Sequence, residues 1–147
     1  MRRGMHWLCA AALWLLAGAL PAAADVAIRD PWIAETPPGA MAAAAFMVLE
    51  NDGAEPRSAV RAESPACERI EFHRTEMEGG IARMLEQKSL SVPAGGSLAL
   101  EPGGTHMMLI RPAPLRAGDR VKITLELADG ETLAIEAVVR ERARHAH

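Results

Sequence analysis

The residue types best suited to chemistry in this chain include His106 and Met108, which lie two positions apart in an apolar run. The run follows Gly103-Gly104 and is typical of a short β-strand. Residues i and i+2 of a strand project to one face, about 6.5–7 Å apart along it. An imidazole and a thioether would therefore lie side by side, whereas Met107 between them should point into the core.

A second pair, His73 and Met84, lies where a hairpin could bring it close to the first. The residues before His73 alternate between apolar and polar types, which places His73 on the polar face of a strand. The Gly79-Gly80 turn would fold residues 81–85 back beside residues 70–76 and carry Met84 toward that face. Neighbouring strands could thus supply two histidines and two methionines to a single ion.

This ligand set favours copper(I). Thioethers bind hard ions negligibly and Zn²⁺ poorly, whereas two thioethers with imidazole suit Cu(I). Thioethers also carry no proton and resist the disulfide chemistry of an oxidising compartment. Residue chemistry alone leaves the alternative open, because a single methionine on a strand is usually core filler. Met41 and Met47 are predicted to be such core residues.

The elements that must hold these residues are predicted to be β-strands. Val121–Leu127 and Leu133–Val139 alternate on either side of Asp129-Gly130, which is a strong hairpin signal. Ala40–Leu49 is rich in alanine, but its Pro- and Gly-rich flanks favour a strand over a helix. Val26–Glu35 contains a proline and is predicted to pair at a sheet edge. Many short strands with frequent turns predict an all-β Greek-key barrel or sandwich.

Charge and chain length exclude several classes of protein. The chain has 147 residues and a formal net charge of −3, with no basic stripe. Nucleic acid and anionic membrane surfaces are therefore poor partners. No nucleophile motif and no three-ligand zinc cluster are present, which argues against a hydrolase and against an enzyme in general.

The first 24 residues are predicted to be a cleaved signal peptide. Arg2 and Arg3 precede an apolar run too short to span a bilayer, and Ala22-Ala23-Ala24 supplies a small-residue cleavage site. Cys9 lies too early to be a lipoprotein acylation site. The mature protein should be exported to the periplasm, without stable membrane insertion. Residues 25–141 then form one domain, and residues 142–147 form a short, disordered tail.

At the level of the whole pattern, the chain resembles the PCuAC family of periplasmic copper chaperones. His73, Met84, His106 and Met108 follow the spacing H-x10-M-x21-H-x-M of that family, with none of the four substituted. The resemblance covers essentially all of residues 25–140. The flanking segments that also fit are Pro31-Trp32, Pro37-Pro38, Glu71-Phe72-His73, Met77-Glu78-Gly79-Gly80, Val92-Pro93-Ala94-Gly95-Gly96, Pro102-Gly103-Gly104-Thr105, Met107-Met108-Leu109 and Gly118-Asp119.

The resemblance implies a cupredoxin-like β-barrel that binds one Cu(I) per chain at a partly exposed site. It also implies delivery of copper to the binuclear centre of cytochrome c oxidase, directly or through a thioredoxin-like assembly protein. Some relatives have longer His/Met-rich tails associated with Cu(II). Here His145 and His147 either bind Cu(II) weakly or belong to a disordered terminus, and the second interpretation is favoured.

Other functions stay open at this stage. Copper storage or copper tolerance would use the same ligands as delivery. A blue-copper electron-transfer protein needs a cysteine ligand, which only Cys67 could provide after signal cleavage. A buried structural role for Cys67 is the simpler expectation. A metal-free adhesion or assembly module would need none of the four ligands.

Overall fold

The computed structural model describes residues 25–142 of the chain, which form ten β-strands and contain no α-helix. The predictions for the signal peptide and for His145 and His147 lie outside the described residues. No helix within the described part is long and apolar enough to cross a membrane. The strands are β1 (Val26–Ala34), β2 (Ala42–Asn51), β3 (Arg57–Glu63), β4 (Arg69–Glu78), β5 (Ile81–Gln87), β6 (Leu90–Val92), β7 (Gly96–Leu100), β8 (Thr105–Ile110), β9 (Arg120–Leu127) and β10 (Thr132–Arg140).

The ten strands form one sheet in the order β5-β4-β8-β2-β1-β10-β9-β3-β6, with β7 also paired to β2. All the pairings are antiparallel except that of β1 with β10, which is parallel. The predicted all-β fold is therefore confirmed. The hairpin on either side of Asp129-Gly130 is confirmed too, since β9 pairs with β10 from Thr132↔Glu126 to Val138↔Arg120.

One face of the strands encloses a hydrophobic core. The core includes Met47, Leu49, Met107, Leu109 and Ile123, each at most 2% exposed. Met47 and Met107 thus lie where the alternation predicted. Met41 was expected in the core and is instead 66% exposed, because β2 begins only at Ala42. Among the described core residues, none comes from β5, which is held to the sheet through β4 alone.

The prediction that β1 is an edge strand was wrong, because β1 lies between β2 and β10. Its register with β2 shifts between Arg29 and Trp32, where one extra residue is inserted in β1. Asp30 takes a left-handed conformation with φ of 47° at this bulge. A bulge leaves one residue outside the hydrogen-bond ladder, so Pro31, which has no N–H, is tolerated in an interior strand.

The β4–β5 turn is formed by Gly79 and Gly80, both with positive φ. Such a two-residue turn has the twist that antiparallel strands need, and glycine adopts it without steric cost. The strands then pair from Glu78↔Ile81 to Phe72↔Gln87. The hairpin that the Gly-Gly pair predicted is therefore confirmed, and it brings residue 84 beside residue 75.

Candidate metal centre

The four predicted ligands lie on one face of three neighbouring strands, opposite the face that forms the core. His73 of β4 is the direct register partner of His106 on β8. Met108 lies two residues further along β8 on the same face. Met84 of β5 is the partner of Thr75, two residues along β4 from His73. The sheet therefore brings onto one surface residues that are up to 35 positions apart in the sequence.

The two imidazole rings are close enough to share one ion. Their centroids are 5.8 Å apart and the rings meet edge to face, with an interplanar angle of 67°. Metal–imidazole bonds are about 2 Å long. The spacing therefore leaves room for one metal ion between the two rings.

The hydrogen bonds of His106 define which of its nitrogens is available. Its Nδ1 lies 3.1 Å from the carbonyl oxygen of Gly104. A carbonyl can only accept a hydrogen bond, so Nδ1 donates and Nε2 keeps its lone pair. The residue is only 4% exposed, and Nε2 is buried with no hydrogen-bond partner.

His73 has the same arrangement with its two nitrogens exchanged. Its Nε2 lies 2.9 Å from Oε2 of Glu71. The ionised carboxylate accepts, so Nε2 donates and the lone pair stays on Nδ1. Nδ1 is buried and has no hydrogen-bond partner. The pKa of Glu71 is lowered, mainly because His73 donates a hydrogen bond to it. The hydrogen bond from Arg69 lowers it further.

The two unpartnered nitrogens are unusual within the described residues. Only three buried side-chain polar atoms there lack a hydrogen bond, and two of them are His73 Nδ1 and His106 Nε2. A buried polar atom without a partner costs about 1–3 kcal/mol. Metal ligands typically show this pattern, with the second ring nitrogen held by a carboxylate or a backbone carbonyl. The donor set thus fits a metal ion between the rings.

The methionines flank a cleft of about 600 Å³ beside the histidines. Met84, His106 and Met108 line it, and Met84 is 60% exposed whereas Met108 is half-buried. The floor of the cleft includes Ala42 and Ala44 of β2, and Ala44 is the register partner of Met108. Small side chains at these two positions leave the space above the sheet free.

An aromatic pair closes the side of the cleft away from β5. The rings of Trp32 and Phe46 lie 4.6 Å apart, and Phe46 lies 6.3 Å from the ring of His106. The guanidinium of Arg140 covers Trp32, 5.5 Å from its ring centroid. The centre therefore has an apolar wall on one side and an open edge at Met84.

Sequence reasoning missed several residues that shape this centre. Glu71 and Phe46 were not assigned a part in the site, and the alanines of β2 were used only to decide between strand and helix. The signals were present, because Glu71 is two residues before His73 and alternate alanines on a strand leave space over one face.

The structure does not support a copper ligand role for Cys67. The residue lies in the turn before β4 and packs against the core, and burial raises the pKa of its thiol. From Arg69 to His73 the strand alone covers about 13 Å, at 3.3 Å per residue. Among residues 25–142 no group of three or more His, Cys, Asp or Glu side chains could hold a metal ion. A centre with three or more side-chain ligands in this part of the chain would therefore need at least one thioether.

Solved structures show the class of fold. The chain is similar to the copper-bound PCuAC domain from PmoF2, with a TM-score of 0.68, 18% identity and coverage of 80% of this chain and 94% of that one. It is also similar to apo-DR1885 from Deinococcus radiodurans, with a TM-score of 0.64, 31% identity and coverage of 99% and 100%. The CuI form of DR1885 is 34% identical, with a TM-score of 0.64 and coverage of 86% and 83%. The fold is the cupredoxin-like PCuAC fold, which confirms both the predicted fold and the resemblance.

Sequence comparison defines the family more narrowly. Residues 26–139 match the family described as "Putative lipoprotein LpqE-like". The chain is 35% identical over 118 residues to "Putative lipoprotein Lxx21020" of Leifsonia xyli subsp. xyli (strain CTCB07), across 79% of this chain and 70% of the relative. The chain therefore belongs to the LpqE-like family.

Proposed function

We propose that this protein is a copper chaperone that binds one Cu(I) through His73, Met84, His106 and Met108. The observation that carries the proposal is the pair of buried, unpartnered imidazole nitrogens on facing strands, beside a cleft that two thioethers line. Imidazole and thioether together select Cu(I) over harder ions. The CuI form of the 34% identical DR1885 supports the choice of metal.

Release would occur by ligand exchange, without a catalytic residue. Met84 is 60% exposed on the outermost strand, whereas His106 is 4% exposed. An acceptor thiolate can therefore displace the thioether of Met84 first. The ion is then bound by the thiolate and the histidines together, until the histidines dissociate from it. Thiolates are softer and bind Cu(I) more tightly than thioethers, so transfer to a cysteine site is downhill.

An anaerobic Cu(I) competition titration of residues 25–147 tests the proposal. The wild-type protein should bind one equivalent tightly, and His106→Ala/Met108→Ala should lose it. Met107→Leu is the matched control, because it lies between the two on the core face and conserves volume. No tight binding by the wild-type protein would overturn the proposal in favour of a metal-free module.

The proposed destination of the copper is the binuclear centre of cytochrome c oxidase or a thioredoxin-like assembly protein. Storage or tolerance would use the same site, but it would not require fast release to a thiol acceptor. Mixing the Cu(I)-loaded protein with a dithiol acceptor domain should therefore give transfer within seconds to minutes if the function is delivery. Retention of the copper under these conditions would favour storage.

The proposed location is the cell envelope, reached through the signal peptide of residues 1–24. The family description and the name of the Leifsonia relative both contain the word lipoprotein, which supports export. The intact mass of the exported protein distinguishes two forms of processing. Cleavage before Asp25 gives the mass of unmodified residues 25–147. A mass equal to that of a chain beginning at a lipid-modified Cys9 would contradict the predicted cleavage site.

A further inference from the structure

Glu71 contacts the candidate centre without belonging to the four-ligand set. It lies two residues before His73 on the same face of β4, and its register partner on β8 is Met108. One carboxylate oxygen, Oε2, accepts from His73 Nε2 at 2.9 Å. The other, Oε1, accepts from Arg69 Nε at 2.8 Å. Both oxygens are therefore engaged, and the carboxylate is held between a guanidinium and an imidazole.

This arrangement argues against direct coordination by Glu71. A carboxylate whose two oxygens already accept strong hydrogen bonds would have to give up one of them to bind an ion. The two histidines and Glu71 also do not form a cluster that could hold a metal among the described residues. Glu71 instead accepts a hydrogen bond from the ring nitrogen of His73 that would not bind the metal, and such a contact orients a metal-binding imidazole.

We propose that Glu71 is the positioning residue for His73, whose Nε2–H it holds so that Nδ1 is the atom that binds copper. This inference rests on the proposed copper-binding function. His106 obtains the equivalent constraint from the carbonyl of Gly104, which no side-chain substitution removes. His73 depends on a side chain, so its orientation can be altered by mutation.

The test compares Glu71→Leu and Glu71→Gln with the wild-type protein in two measurements. In the copper-free protein, NMR should show the His73 Nε2–H proton as a slowly exchanging downfield signal. The signal should persist in Glu71→Gln, whose amide oxygen can accept, and disappear in Glu71→Leu. Cu(I) affinity should fall about 10–100-fold in Glu71→Leu and less in Glu71→Gln, as is typical when an outer partner of a metal ligand is lost.

Glu76→Leu is the matched control, because Glu76 is also paired with an arginine two residues earlier on β4 but lies on the other face. It should leave both measurements unchanged. An unchanged Nε2–H signal or unchanged affinity in Glu71→Leu would overturn the assignment. Absence of Cu(I) binding in the wild-type protein would overturn the proposed function itself, and the copper-free NMR measurement separates these two failures.

Discussion

β8 and β5 each contribute to the candidate copper centre, but the sheet holds them very differently. β8 lies between β4 and β2, and its Met107 and Leu109 are fully buried in the core. β5 is the last strand of the sheet, is paired only with β4, and adds nothing to the described core. One strand can therefore fix ligands in place, and the other can present a ligand to an approaching molecule.

The difference suggests how a carrier can bind tightly and still release. His106 on β8 is held by the backbone of Gly104, so its nitrogen is oriented before any metal arrives. Met84 on β5 is mostly exposed, and its thioether has several rotatable bonds. Binding strength should therefore depend chiefly on β8, and exchange rate on β5.

The largest effect is expected for His106→Ala. Loss of an outer partner of a metal ligand already costs about 10–100-fold in affinity, so loss of the ligand itself should cost more than about 100-fold. Anaerobic Cu(I) competition measures the change. If His106→Ala and Met84→Leu weakened binding equally, β8 would have no special part in affinity.

Acidification should have the next largest effect. Both histidines must be neutral to bind, so protons compete with Cu(I) for their ring nitrogens. Cu(I) affinity should therefore fall when the pH is lowered from 7 to 5.5. Glu71 stays ionised over this range, because its hydrogen bond from His73 lowers its pKa.

Titrations at several pH values separate the two strands further. Met84→Leu should keep the wild-type pH dependence, since a thioether carries no proton, whereas His106→Ala should lose part of it. A pH-independent affinity in the wild-type protein would exclude the histidines as ligands.

The smallest effect on affinity is expected for Met84→Leu, at about tenfold or 1.4 kcal/mol. The residue is exposed and the swap conserves volume, so the free energy of unfolding should change by less than about 0.5 kcal/mol. Transfer to a dithiol acceptor should become faster, because one ligand no longer has to be displaced.

Met77→Leu is the control on the same face of the hairpin, and it should change neither the Cu(I) affinity nor the transfer rate. Unaltered affinity in Met84→Leu would remove β5 from the centre.

Much of the fold follows from local patterns in the sequence. Alternation and the Gly79-Gly80 and Asp129-Gly130 turns predicted both hairpins, because side-chain period and turn chemistry are local properties. Local patterns could not predict the neighbours of β1, because its pairing with β10 joins segments that are more than 100 residues apart in the sequence. Met41 was misplaced because the start of β2 depends on the chain before it, which alternation does not define.

For the site, the sequence predicted the residues but not the geometry of their side chains. Residue types and the family spacing identified His73, Met84, His106 and Met108 as candidates, and the structure places them on one face. Which nitrogen each histidine presents could not be predicted, because it depends on hydrogen bonds that only the folded strands create. The cleft over Ala44 likewise needs the register of β2 against β8.

The bulge in β1 determines which residues of the N-terminal strand reach the centre. Successive side chains of a strand point to opposite faces, so one inserted residue reverses the facing of everything after it. Arg29 pairs with Val48 before the bulge and Trp32 with Phe46 after it, so Trp32 lies over the cleft while Ile33 enters the core. If the same residues paired with β2 without the bulge, these two positions would be exchanged, with an isoleucine beside the histidines and an indole forced inward. The extra residue in β1 thus determines which side chain forms the wall of the centre, although it contributes none of the four candidate ligands.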